Sequence, residues 1–141
     1  MGDAHREILV ATDFSASSAA AVAHAARLAM ESGARLHLLH VLPPADRSSG
    51  QLADERRHSL ERLAGVISAD AELALKTVKE VRVGRPAEAI VAYAREAGND
   101  LVVVGTHGRS GLRRLALGSV ADRVLRDSPC PVVVIKNGDD P

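Results

Sequence analysis

The chain is 141 residues long, room for one ordinary domain and not for two. Eighteen basic and eighteen acidic residues cancel, 46% of the residues are apolar, and Phe14 and Tyr93 are the whole aromatic content. A neutral chain offers no global field for nucleic acid or an anionic membrane, and two rings cannot make a base-stacking platform.

Ala, Val and Leu must therefore fill the interior, which favours helices packed closely on a Val-rich sheet. Residues Met1 to Arg6 lack the pattern of a signal peptide, and no apolar run approaches the roughly 18–20 residues of a membrane span. A lone Cys130 suits a reducing compartment. A cytoplasmic protein is expected.

Ile8 to Thr12 is a short continuous apolar run, the mark of a strand covered on both faces. Ser15 can cap the helix that follows, whose inner stripe runs through Val22, Ala25 or Ala26, and Ala29, with Gly33 as its stop. Leu36 to Leu42 reads as a second buried strand, closed by Pro43 and Pro44. Residues 45–51 read as a mobile loop, and a charged helix is expected from about Leu52 to Ser68, carrying Leu60, Leu63 and Ile67 on one face. A third strand is expected near Leu75 to Val83, where Arg82 between Val81 and Val83 suggests an edge. Pro86 suits the first turn of a helix that Gly98 ends. Leu101 to Val104 is a fourth strand, Ser119 to Arg126 a helix, and Val132 to Ile135 a fifth strand. Strict alternation of strand and helix predicts an α/β fold: a mostly parallel five-stranded sheet between helical layers, with right-handed crossovers.

The chemistry concentrates after the fourth strand, at Gly105, then Gly108, then Gly118 followed by Ser119. Glycines let backbone amides approach an anion closely, and a helix start adds unpaired N–H groups and a positive dipole end. The alternative is that these glycines serve only turns and a close helix–sheet contact. Neither a P-loop run nor G-x-G-x-x-G after the first strand is present. Asp13 lies just past the first strand; in open parallel sheets ligands bind beyond the strands' C-terminal ends, where the winding reverses. If strands one and four are neighbours there, Asp13 shares a crevice with the glycine loop and could bond a ribose or base edge. Capping the next helix with Ser15 is its other reading.

The residues Val10-Ala11-Thr12-Asp13-Phe14-Ser15, Leu39-His40-Val41, Gly84-Arg85-Pro86, Asp100 through Arg109, Gly118-Ser119-Val120 and Cys130 through Val134 together resemble the universal stress protein family. The likeness spans nearly the whole chain and points to the single-domain subgroup that binds ATP. Its nucleotide motif, G-x2-G-x9-G-[ST], is complete; Ala11 stands where many relatives carry Pro. The resemblance implies a Rossmann-like sheet of order 3-2-1-4-5 and one domain over residues 1–141. It implies that Asp13 and the backbone at Val41 hold the adenosine part, with Ala11 and Thr12 also among the nucleotide-binding residues. Gly105, Gly108, Gly118 and Ser119 would hold ribose and phosphates, with Arg109 and Val120 lining the same loop. Mg²⁺ commonly accompanies the phosphates, held mainly by water and phosphate oxygens. A homodimer through Val132, Val133, Val134 and Ile135 is likewise implied, as an answer to an uncharged edge strand followed only by Lys136.

His107 invites a catalytic reading, but the family carries a residue between these glycines without general-base chemistry. His24 and His40 read as packing or exposed residues, and Cys130 as a small structural one. Of Arg109, Arg113, Arg114, Arg123 and Arg126, only Arg109 adjoins the cradle; the others read as a solvated surface. The expected function is ATP binding as a nucleotide-linked stress-response switch or sensor, acting on a downstream protein. No evident attacking-water base or phosphate-contacting Lys supports efficient turnover. A slow Mg²⁺-dependent ATPase and a nucleotide-independent dimeric scaffold are the alternatives.

Overall fold

The structure, a computed structural model, describes residues 5–106 and 117–136. In chain order the elements are β1 (Glu7–Ala11), α1 (Ala16–Ser32), β2 (Arg35–Leu42), α2 (Ser49–Leu63), α3 (Ala69–Ala74), β3 (Val78–Val83), α4 (Pro86–Ala97), β4 (Leu101–Gly105), α5 (Ser119–Asp127) and β5 (Val132–Ile135). The strands form one sheet of order β3-β2-β1-β4-β5, every neighbouring pair parallel. Winding runs outward from β1 to β3, then returns past β1 to β4, so the reversal falls between β1 and β4. There Leu9 lies beside Val102 and Val10 beside Val103.

Alternation of side chains along buried strands splits the core in two. Ile8, Val10, Leu36 and Leu38 face α1 and Leu63 of α2, which is fully buried. Leu9, Leu39, Val102 and Val104 face α4 and α5 through Ile90, Tyr93, Ala121 and Val124. Small residues make the first layer close: α1 turns Ser17, Ser18, Ala21, Val22, Ala25 and Ala29 inward. Ser15 caps α1 by accepting from the Ser18 N–H, and Gly33 ends it at φ 74, a left-handed conformation that costs glycine nothing. Gly98 ends α4 in the same way at φ 69.

Between β2 and β3 the sequence expectation needs correction. Residues 45–51 do not form one loop: α2 begins at Ser49, because Ser48 and Gln51 close a reciprocal capping box, with bonds of 3.1 and 2.7 Å. The expected single helix to Ser68 ends at Leu63, and Ser68 caps a separate short helix, α3. Leu75, expected to open the third strand, is instead the C-cap of α3, its side chain 4% exposed in the core. Strand β3 starts at Val78 and is an edge, but only Val81 is buried; Val83 is 41% exposed.

At the N-terminal ends of the strands His37 bridges the Tyr93 hydroxyl and a Glu7 carboxylate oxygen, 2.7 Å each. Burial raises the Tyr93 pKa above its ordinary value, with the Glu80 charge adding to it. This group lies at the opposite end of the sheet from β1's exit into the Asp13 loop.

Candidate functional site

At the reversal of the winding, beyond the C-terminal ends of β1 and β4, a cavity of about 320 Å³ opens on the α4/α5 face. That volume lies within the roughly 300–1,000 Å³ of small-molecule sites. Strand β1 and its following loop supply Ala11, Thr12 and Asp13; β2 supplies Val41 and β4 Gly105; the start of α5 supplies Gly118, Ser119 and Val120. These eight residues, singled out in the sequence, thus meet in one crevice. Gly108 and Arg109, with His107, Arg113 and Arg114, lie outside the described residues. The sequence reading missed Ser18, Pro86, Ile90, Val104, Thr106 and Ala121, which also line the crevice. Ser18, Pro86 and Ala121 sit in the first turns of α1, α4 and α5 and Ile90 one turn further on, where nothing in a linear pattern separates a pocket wall from a cap or ordinary core.

The crevice lining is of two chemical kinds. Val41, Pro86, Ile90 and Val104 make an aliphatic wall, whereas Thr12, Asp13, Ser18 and the backbone around Gly118 and Ser119 are polar. Gly118 is the N-cap of α5 and supplies no side-chain cap. Its own N–H donates to the Thr106 carbonyl at 2.6 Å, and its carbonyl accepts from Asp122 at 3.0 Å. The N–H groups of Ser119, Val120 and Ala121 therefore have no partner among the described residues, and the positive end of the helix dipole adds to them.

Gly105 has a second cause beside the one suggested by its motif. A Cβ there would lie 2.6 Å from Ser17 Oγ and 2.9 Å from the Ser17 carbonyl oxygen. The glycine is required by the contact between β4 and the first turn of α1, the alternative weighed above. Asp13 combines its two readings: its Oδ1 accepts from the Ser15 N–H and the Ser18 hydroxyl, 3.0 Å each, and it also lines the crevice. A carboxylate accepts up to about four hydrogen bonds, so bracing its loop and meeting a ligand hydroxyl are compatible.

The loop is held from β2 as well. Thr12 donates its N–H to the Leu39 carbonyl (2.9 Å) and accepts at its own carbonyl from His40 Nδ1–H (2.8 Å). Phe14 follows in the left-handed region, φ 65, a conformation that costs a residue with a side chain about 1–2 kcal/mol.

Among the described residues no three His, Cys, Asp or Glu gather as a metal site, and Asp13 is the one carboxylate on the described crevice wall. Any divalent ion there would take most of its oxygen ligands from the bound molecule and water. His24 contacts Arg27 at 2.7 Å on the surface of α1. Cys130 is half-buried, and burial pushes its thiol pKa up, against the lowering contact with Ser128. Arg123 and Arg126 pair with Asp127 and Asp122 one turn away on α5, 3.0 Å each, a solvated salt-bridged surface. No helix among the described residues is long and apolar enough to cross a membrane.

Fold and crevice together define an open α/β protein with a ligand-sized opening at its topological switch point. The sequence matches the universal stress protein family over residues 5–136, and the chain belongs to that family. It is 36% identical to universal stress protein MJ0531 of Methanocaldococcus jannaschii, covering 94% of this chain and 82% of that one. Universal stress protein YxiE of Bacillus subtilis is 35% identical, with 92% and 98% covered. Among solved structures, protein MJ0577 of M. jannaschii superposes with TM-score 0.75 at 28% identity, over 96% of this chain and 99% of that one. A universal stress protein in complex with cAMP gives 0.76 at 29% identity, over 96% and 100%. The fold is thus the family's Rossmann-like one.

Proposed function

We propose that the crevice binds an adenine nucleotide, ATP foremost, and that the protein is a nucleotide-linked switch or sensor of the stress response. The observation that carries this reading is a lining that joins aliphatic side chains to the uncapped start of α5. Its aliphatic wall, with Val41 and Ile90, suits the flat faces of a purine, and the uncapped start of α5 suits phosphate oxygens. Asp13, just past β1 in the same crevice, meets a ribose hydroxyl or a base edge, with Ala11 and Thr12 beside it. Gly105, Gly118, Ser119 and Val120 line the phosphate end, where Gly108 and Arg109 join them in this reading. The family relative solved with cAMP supports an adenine ligand.

Mg²⁺ accompanying the phosphates would be held mainly by phosphate oxygens and water and would offset their charge. Binding rather than turnover is the activity in this reading, with a slow Mg²⁺-dependent ATPase as its alternative. In the same reading residues 1–141 form one cytoplasmic nucleotide-binding domain, paired into a homodimer through Val132, Val133, Val134 and Ile135, and its output is read by a downstream protein.

Calorimetry with ATP, ADP, AMP and cAMP tests the ligand, using wild type and Ser119→Glu. A glutamate at the first residue of α5 favours the helix dipole and repels phosphate, so folding and binding move in opposite directions. The variant is expected to melt no lower than wild type and to bind ATP about tenfold or more weakly, the factor produced by about 1.4 kcal/mol. Equal affinities would remove the phosphate end from the proposed place.

A further inference from the structure

We propose that Phe14, His40 and Arg62 are positioning residues, a clasp on the α1/α2 face of the sheet that shapes the Asp13 loop and couples α2 to the crevice. The ligand part of this inference rests on the nucleotide reading above. Phe14 is the strained residue of the loop, at φ 65. Its neighbour Asp13 faces the crevice, while the Phe14 ring packs on the opposite side of the sheet. There its centroid lies 4.6 Å from that of His40, and the Arg62 guanidinium sits over the ring at 3.9 Å.

His40 does a second thing: its Nδ1–H fixes the Thr12 carbonyl at 2.8 Å. Thr12 in turn accepts the Phe14 N–H on its hydroxyl at 2.9 Å. An aromatic residue stays left-handed only while its surroundings over-determine it. The tilted contact with the His40 ring, the cation above the Phe14 ring and the Thr12 bonds supply that constraint. Without them Phe14 relaxes to negative φ and the Asp13 carboxylate turns away from the Ser15 and Ser18 donors that now hold it.

Arg62 is the outward handle. It is an exposed residue in the last turn of α2, next to the fully buried Leu63, and it forms no ion pair among the described residues. A displacement of that turn withdraws the guanidinium from Phe14. Coupling between two sites is reciprocal, so ligand in the crevice holds α2 in place by as much as α2 favours ligand.

Hydrogen exchange on ligand-free protein, followed by calorimetry with ATP, tests the clasp in Arg62→Ala and His40→Ala, with Arg62→Lys and Phe14→Tyr as conservative partners. In both alanine variants the Ser15 and Ser18 amides should exchange about tenfold faster or more, a change of about 1.4 kcal/mol in local opening, with α4 and α5 amides unchanged. ATP affinity should fall about fivefold or more, the lower end of ordinary coupling, while Phe14→Tyr keeps the wild-type value and Arg62→Lys, which keeps the charge but loses the planar guanidinium, falls between wild type and Arg62→Ala. Unchanged protection at Ser15 and Ser18 would overturn the clasp. So would faster exchange spread evenly over the molecule, or full ATP affinity in a loosened loop. A wild type that binds no adenine nucleotide overturns the reading of the crevice instead, and the exchange data then judge the clasp by themselves.

Discussion

At Gly105 a side chain has no place to go. Two of the three atoms that an added Cβ would meet are backbone atoms of Ser17, at 2.9 and 3.1 Å, and backbone cannot rotate away as a side-chain tip can. Gly105→Ala must push the first turn of α1 off β4, an overpacking cost of about 1–3 kcal/mol. Urea denaturation should show that loss, and a midpoint equal to wild type would mean that α1 can shift freely. The position shows how far a motif can be read from its letters. Glycine at the end of a buried strand followed by more glycines is equally good chemistry for an anion cradle and for a close helix. Spacing alone cannot say which way the missing Cβ would point. Asp13 was legible for the opposite reason: a carboxylate just past the central strand is placed by topology, and the loop bonds and the crevice wall both use it.

Among the elements, those with a buried stripe or a fully apolar run could be read directly. Strands β1 and β4 announce themselves because Ile8 to Val10 and Leu101 to Val104 are covered on both faces. Helix α3 does not, because six residues with no buried side chain leave no periodicity. The start of α2 is intermediate. Ser48-Ser49-Gly50 has loop composition, yet Ser48 and Gln51 have the spacing of a capping box, and that local hydrogen-bond chemistry outweighs the glycine. Helix α2 buries only Ser59 and Leu63, so its cap carries a larger share of its stability than in a deeply docked helix. Ser48→Ala is expected to cost about 1 kcal/mol, read as a lowered urea midpoint together with faster amide exchange in the first turn of α2. An unchanged first turn would show that tertiary contacts hold it instead.

For the whole molecule the two edges of the sheet are treated differently. Strand β3 carries Lys79, Glu80 and Arg82, and charges on an edge discourage pairing with another chain. Strand β5 is Val132-Val133-Val134-Ile135, all half-buried, and no described strand covers its outer side. The carbonyls of Pro131 and Ile135 accept from Val102 and Thr106 of the β4 side, both at 3.0 Å. Backbone groups of alternate residues point alternately to the two sides of a strand, so Val132 and Val134 present their N–H and C=O groups outward. A two-fold axis through this edge would pair two copies of β5 antiparallel, residue i of one copy meeting residue j of the other and j meeting i. That geometry gives the proposed homodimer a sharp test. Val134→Pro removes an outward donor while leaving the ladder to β4 intact, and proline is tolerated on an edge strand in that setting. Light scattering at micromolar concentration should give twice the chain mass for wild type and the single-chain mass for Val134→Pro. A wild-type monomer would remove the dimer, and a variant that stays dimeric would move the interface off β5, leaving the crevice and its loop as the place where any switch must be read.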